Sequence, residues 1–303
     1  MQPNVKKVAA IHDLSGFGRA SLTAIIPTLS SMGIQVCPIP TAILSTHSGG
    51  FTNYSFHDLT DTMLEYVAHW KALDLSFDAI YSGFLGSPKQ ADIVSTIIDN
   101  FAVKNGKKNG QSVSGISDTL VVVDPVMGDD GSLYQSIDPS MVPQMRNLIA
   151  KADIIVPNVT EASLLLDQKI PHAFHNEDMK SFLKALSDMG PDTVVITSMP
   201  DAQNLDFLCT AAYQRDTDSY WKISAARLPG SYPGTGDTFA SVMIGSLLKG
   251  ESLPVSIDRS VHFISQCINA SRGYDYPRRN GILLERELYL LREPWQISSY
   301  EEL

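Results

Sequence analysis

Short apolar runs rich in valine and isoleucine recur at residues 8–11, 34–39, 42–44, 79–82, 120–123, 153–156 and 193–197, with helical patterns between most of them. Few of these runs alternate polar with apolar residues, so both faces of each strand are expected to be covered. Strands of that kind, joined by helices, predict an α/β fold: a mainly parallel central sheet with helices on both faces. Helical spacing covers 22–29, with Pro27 inside and Gly33 beyond its end, then 59–73, 88–101, 237–248, 255–271 and 283–291. Runs at 207–213 and 220–224, joined by 214–219, read instead as an antiparallel hairpin at a sheet edge. No internal repeat or long linker interrupts this order, which predicts a single domain over residues 1–303. Residues 104–118 (KNGKKNGQSVSGISD) are polar and lack an apolar period, and they predict a flexible, solvated surface segment.

Composition narrows the partners. A net charge of −10 argues against nucleic acid and against anionic membranes. It still admits a phosphorylated ligand, because a helix N-terminus or a metal ion can neutralise one locally. Cys37, Cys209 and Cys267 are too few and too scattered for a disulfide framework or a metal cage, which favours a reducing cytoplasm. The start of the chain has no apolar run of signal-peptide length, and no run approaches the length of a membrane span.

In a parallel α/β sheet, functional residues gather at the carboxyl ends of the strands. Those ends read His12-Asp13-Leu14-Ser15-Gly16, Ser45-Thr46-His47-Ser48-Gly49-Gly50, Ser82-Gly83-Phe84-Leu85-Gly86, Asp124-Pro125-Val126-Met127-Gly128-Asp129, Pro157-Asn158-Val159-Thr160-Glu161 and Thr197-Ser198-Met199. Singly each is weak, since Asp-Pro and Pro-Asn are common turn chemistry and Glu161 suits the first turn of a helix. The stretch Gly234-Thr235-Gly236-Asp237 then opens a long apolar helix closed by Gly250. Its glycines let an anion approach the free amides of the first turn. A carboxylate there repels phosphate unless it has another task, such as taking the proton of a hydroxyl that attacks the phosphate. For a bare GxGD motif the alternative is a capped helix after a Gly/Pro turn.

Together, DPVMGD (124–129), PNVTEA (157–162), VVITS (194–198) and PGTGDTF (233–239) resemble the ribokinase-like superfamily, and within it the vitamin B6 kinase branch. LSTHSGG (44–50) is similar to that branch's substrate loop, with His47-Ser48-Gly49 for its His-Thr-Gly. SGFLG (82–86) is similar to its Gly-Tyr-Leu-Gly, and GDDGSLY (128–134) to the lid over the nucleotide phosphates. The resemblance implies a ribokinase-like three-layer sandwich. It also implies an ATP-dependent kinase that phosphorylates the 5′-hydroxymethyl group of pyridoxal, pyridoxamine or pyridoxine, usually as a homodimer. On this resemblance Asp237 is the base and the amides of Gly234, Thr235 and Gly236 form the anion hole. Asp13, Ser15, His47, Ser48 and Phe84 line the substrate pocket. Asp124, Asn158, Thr197, Ser198 and Tyr134 meet ATP, and Asp124, Asn158 and Glu161 hold Mg²⁺, partly through water.

The sequence departs from that pattern at two positions. Asp13 stands where these kinases carry a serine that contacts the pyridine. Val156 stands where several relatives have a threonine near a monovalent cation, which leaves K⁺ dependence open. Two alternatives remain. One is a hydroxymethylpyrimidine kinase, which also has an Asp at the end of the first strand but continues Ser-Gly-Gly-Ala-Gly, against Ser15-Gly16-Phe17-Gly18 here. The other is a nucleotide- or B6-binding protein without turnover.

Overall fold

Side chains along the central strands point alternately to two separate cores. Ala9, Ile11, Ile80, Val121, Val123, Ile155, Val194 and Ile196 join one; Val8, Ala10, Ala79, Tyr81, Val122, Ile154, Val156 and Val195 join the other. Strands with no polar face are stable only between two layers of helices, and that is the architecture of the computed structural model, which describes residues 5–108, 111–112, 118–293 and 299–303.

The chain begins with β1 (Lys7–Phe17), α1 (Leu22–Ser31), β2 (Gln35–Thr46), β3 (Phe56–Asp58), α2 (Thr60–Ala72), β4 (Ala79–Ser82) and α3 (Pro88–Phe101). Three two-residue strands follow, β5 (Val103–Lys104), β6 (Lys107–Lys108) and β7 (Gln111–Ser112), before β8 (Leu120–Val123). A short hairpin of β9 (Gly128–Asp129) and β10 (Ser132–Leu133) precedes α4 (Met141–Ile149), β11 (Ile154–Ile155), α5 (Val159–Leu166) and α6 (Asn176–Ser187). Then come β12 (Thr193–Pro200), β13 (Phe207–Gln214), β14 (Ser219–Ala226), α7 (Thr235–Leu248), α8 (Leu253–Arg272) and β15 (Tyr300–Glu302). The main sheet has ten strands in the order β15-β14-β13-β12-β11-β8-β4-β1-β2-β3. Pairing is parallel from β2 to β12. It is antiparallel at both edges, through β3 on one side and β13, β14 and β15 on the other. Helices α2 to α6 pack on the first core, and α1, α7 and α8 on the second.

The structure revises four readings of the sequence. Residues 34–39 and 42–44, expected as two strands, form the single strand β2. Pro38 and Pro40 are tolerated because that part of β2 pairs with β1 alone, β3 joining only from Ala42. The helix expected at 283–291 is two 3₁₀ segments, Leu284–Arg286 and Leu288–Arg292. Over nine residues, apolar spacing does not separate a period of 3.6 from one of 3.0. Helices α4, α5 and α6 carry buried Met145, Leu165 and Leu183, and the sequence reading passed over them. The segment 104–118 contains a small antiparallel ladder of β5, β6 and β7 in its described part. Asn105 and Gly106 turn it with φ of 51° and 68°, the Asn-Gly pair that suits a two-residue hairpin. Residues 109–110 and 113–117 lie outside the described residues. No helix among the described residues is long and apolar enough to cross a membrane.

Candidate active site

The two glycines before Asp237 serve different ends. Gly234 is the N-cap of α7 in the left-handed region, at φ 80°. A Cβ there would lie 1.9 Å from the Arg19 carbonyl, so the β1–α1 turn can approach only a glycine. Gly236 is exposed, and a Cβ on it would meet nothing within 4 Å. The cap has no side-chain hydrogen bond, and Thr235 turns its hydroxyl back to the Tyr232 carbonyl at 3.1 Å. The first-turn amides and the positive end of the helix dipole therefore face open space over Gly236.

Asp237 stands beside that opening with its side chain 14% exposed. Its Oδ2 accepts the Ser21 amide at 2.8 Å, and its Oδ1 lies 3.8 Å from His12 Nδ1. Burial pushes its carboxyl up to about 6; the charge of Asp13 acts in the same sense and the Ser21 amide against it. His12 is fully buried, which pushes its imidazole down to about 3 and keeps it neutral. Neither ring nitrogen has a hydrogen-bond partner among the described residues. The ring stands edge-on to Tyr81 at 4.3 Å. Gly83 makes room for it, since a Cβ there would fall 2.2 Å from His12 Cε1.

The residues expected around a substrate divide into two groups. Asp13 and Ser15 are buried and bonded to each other, Ser15 Oγ donating to Asp13 Oδ2 at 2.8 Å. Ser21 Oγ donates to Asp13 Oδ1. Burial raises the Asp13 carboxyl above its usual range while the two hydroxyls pull it down. His47 is held at both nitrogens: Nδ1 accepts from the Gly49 amide at 3.1 Å, and Nε2 lies 2.7 Å from the Arg279 carbonyl. Those partners select the Nε2–H tautomer. Phe51 stands edge-on to His47 at 5.0 Å, and the Arg279 guanidinium covers the other ring at 4.8 Å. Ser48 is exposed on the same loop. Phe84, partly buried, packs against the first core at the end of β4.

Asp124 lies within electrostatic reach of Glu161 and Asp237, and Glu161 within reach of Asp129. Asp124 is buried, and burial together with Glu161 and Asp237 holds its carboxyl well above the usual range. Burial pushes Glu161 up to about 8 against the amides of Asn158, Met127 and Gly128, with Asp129 adding to the rise. Glu161 and Asn158 form the capping box of α5: Asn158 Oδ1 accepts the Glu161 amide and Glu161 Oε2 accepts the Asn158 amide, both at 2.9 Å. Glu161 Oε1 accepts from Met127 N–H at 3.1 Å, and Asn158 Nδ2 donates to the Gly128 carbonyl at 2.9 Å. This box fastens the β9–β10 hairpin to the end of β11, and Gly131 N–H bonds Thr160 Oγ1 at 2.9 Å. Tyr134 follows the hairpin, its hydroxyl raised by burial and then by Glu161, Asp129, Asp124 and Asp237. Thr197 bridges to Asn158. Ser198 is exposed at φ 60° where β12 shifts register against β13, a strained backbone of the kind found at ligand sites.

Among the described residues, no three His, Cys, Asp or Glu side chains are grouped to hold a metal ion by themselves. The donor set does suit Mg²⁺ delivered with phosphates. That ion keeps most of its water and takes one or two carboxylates, and Asp124 is a buried carboxylate that no cationic side chain pairs with among the described residues. A cavity of about 380 Å³ opens at the opposite end of the sheet, lined by Lys6, Asp78, Asp153 and Asp192 among others. Lys6 and Lys104 neutralise Asp78 and Asp153 there, and none of the candidate site residues lines it. The sequence reading missed His12 and Ser21 as partners of Asp237, and Phe51 and Arg279 as the frame of His47. Only His12, at a strand end, carried a signal.

A three-layer sandwich with a buried carboxylate at an open, glycine-led helix N-terminus is the arrangement of the ribokinase-like kinases. The chain belongs to the phosphomethylpyrimidine kinase family, whose model matches residues 16–281. A candidate phosphomethylpyrimidine kinase from Bacteroides thetaiotaomicron, solved with pyridoxal, is 50% identical, with a TM-score of 0.91 over 99% of this chain and 100% of that one. Pyridoxal kinase from Lactobacillus plantarum is 31% identical, with a TM-score of 0.80 over 95% of this chain and 97% of that one. The hydroxymethylpyrimidine/phosphomethylpyrimidine kinase of Mycobacterium bovis is 26% identical over 91% of both chains.

The two glycines should respond differently to substitution. Gly234→Ala, strained in φ and blocked by Arg19, should lower the denaturation midpoint. Gly236→Val should leave the unfolding free energy within about 1 kcal/mol of wild type, the helix-propensity change being small, yet abolish most turnover. Paired denaturant melts and turnover assays check this, and a fully active Gly236→Val would reduce that glycine to a turn residue.

Proposed function

We propose that this kinase transfers the γ-phosphoryl group of ATP to the 5′-hydroxymethyl group of a vitamin B6 compound: pyridoxal, pyridoxamine or pyridoxine. One observation carries the phosphoryl-transfer chemistry, the Asp237 carboxylate fixed by Ser21 N–H beside the open amides over Gly236. The B6 assignment draws support from the half-identical Bacteroides protein solved with pyridoxal. Attack by the hydroxymethyl oxygen on the γ-phosphorus breaks the bond to the β-phosphate bridging oxygen, and the hydroxyl proton passes to Asp237. With its carboxyl held near 6, Asp237 is mostly ionised at neutral pH and still basic enough to accept that proton. The amides of Gly234, Thr235 and Gly236 meet the charge on the transferring phosphoryl oxygens.

His47, Ser48 and Phe84 form the pyridine side of the pocket in this reading. Thr197, Ser198, Tyr134 and Asn158 form the nucleotide side. Mg²⁺ brought by the nucleotide would be held by Asp124, backed by Glu161 and Asn158, and would offset repulsion between the phosphates and the carboxylates. A homodimer belongs to the same proposal.

The second reading is phosphorylation of hydroxymethylpyrimidine or its phosphate. The family description and the Mycobacterium bovis relative favour it. Turnover measured side by side with pyridoxal, pyridoxamine, pyridoxine and hydroxymethylpyrimidine decides between them. The B6 reading expects the highest kcat/KM with a vitamer, and a pyrimidine preference would overturn it.

Asp237→Asn should fold and lose roughly 10²-fold or more in kcat, the usual worth of a general base. In the wild type, kcat/KM should rise as pH climbs through about 6, because only the ionised carboxylate accepts a proton. A mutant within about tenfold of wild type would remove the base assignment. For Asp124→Asn, the Mg²⁺ concentration at half-maximal rate should rise while binding of the free vitamer is retained. Identical Mg²⁺ titrations would release Asp124 from that role.

A further inference from the structure

Asp13 is one of the two residues at which the chain leaves the pattern it otherwise resembles, and its surroundings give it a use. Both of its carboxylate oxygens are occupied within the protein, Oδ2 by Ser15 Oγ at 2.8 Å and Oδ1 by Ser21 Oγ. All three side chains are buried. Ser21 adopts φ 51° and ψ −135°, a backbone region that residues with a Cβ rarely enter. A serine held there is strained and persists only where its surroundings fix it. Here four hydrogen bonds fix it: its hydroxyl to Asp13, its amide to Asp237 Oδ2 at 2.8 Å, and two at its carbonyl, which accepts the amides of Ala24 and Ile25 and so starts α1.

We infer that Asp13 is a positioning residue for Asp237: by gripping the Ser21 hydroxyl it holds the left-handed turn that aims the Ser21 amide at the Asp237 carboxylate. Glycine would take this φ with less strain but has no hydroxyl for Asp13 to grip, which accounts for serine at position 21. Because Ser21 N–H occupies Oδ2, the oxygen left for the substrate hydroxyl is Oδ1. The two carboxylates repel each other, and Ser21 stands between them as a donor to both. The inference rests on Asp237 being the base, and it gives Asp13 a role that involves no substrate contact.

The test compares Asp13→Ala, Ser21→Ala, the double mutant and Asp13→Asn, with Asp237→Asn run alongside, using pyridoxal and Mg-ATP; thermal melts establish which variants are folded. Each alanine variant should lower kcat by about tenfold or more through misplacement of the base, with KM for pyridoxal within about twofold. The double mutant should be no worse than the worse single mutant, because both remove one hydrogen bond. Asp13→Asn keeps an acceptor for Ser21 Oγ and a donor for Ser15, and should recover most of the kcat lost in Asp13→Ala. If Asp13→Ala does not fold, the Ser21→Ala and Asp13→Asn pair carries the same comparison. A raised KM with unchanged kcat, or additive losses in the double mutant, would make Asp13 a substrate contact and overturn the inference. If Asp237→Asn is inactive while the Ser21 and Asp13 variants match wild type, this inference fails and the base assignment stands. If Asp237→Asn is itself active, the base assignment fails first.

Discussion

The contact on which the site depends is the close approach of the β1–α1 turn to the start of α7. Gly234 lies so near the Arg19 carbonyl that a Cβ would collide at 1.9 Å. Two residues further on, Ser21 donates its amide to Asp237. The turn follows the first strand of the parallel sheet, and the helix starts more than two hundred residues later in the chain. Packing of α1 and α7 into one core brings the two together. Small displacements at this junction would move the carboxylate relative to the open amides, and reaction geometry tolerates little of that.

Four carboxylates crowd this end of the sheet, and burial raises Asp13, Asp124, Glu161 and Asp237 alike. Stability alone would not gather them. The protein manages each in its own way. Asp13 is given two hydroxyls, Glu161 several amides and Asp237 one amide, while Asp124 has least. In the proposed reading, a cation and the nucleotide phosphates would complete the balance beside Asp124.

Much of this was legible in the sequence because parallel sheets use plain signals. Runs such as Val121-Val122-Val123 need apolar residues on both faces, and the boundaries of β4, β8 and α3 follow directly from them. The GTGD stretch and the strand ends converged for the same reason, since strand direction decides where loops gather. What escaped was set by tertiary contact. Nothing local marks Ser21 as a left-handed residue, because its conformation is imposed by Asp13 and Asp237 from other elements. Nothing local separates the 3₁₀ turns at 284–292 from a helix. The antiparallel strands β3 and β15 are three residues each, too short for a periodicity to register. The Asn-Gly turn at 105–106 was legible, but polar surroundings concealed it.

Residues 278–281 act as a clasp. The Arg279 carbonyl meets His47 across 232 positions of sequence, and the Asn280 carbonyl accepts both the backbone and side-chain N–H groups of Arg19 across 261. Arg19 also grips Glu285 across 266. These contacts join parts of the chain far apart in sequence through polar bonds at a partly exposed surface, and the segment is anchored just beyond them by Ile282 and Leu284, which are buried in the second core. The consequence is a shared support: one short stretch late in the chain meets both the His47 loop and the Arg19 turn, so a single change there would reach two separate walls of the site at once.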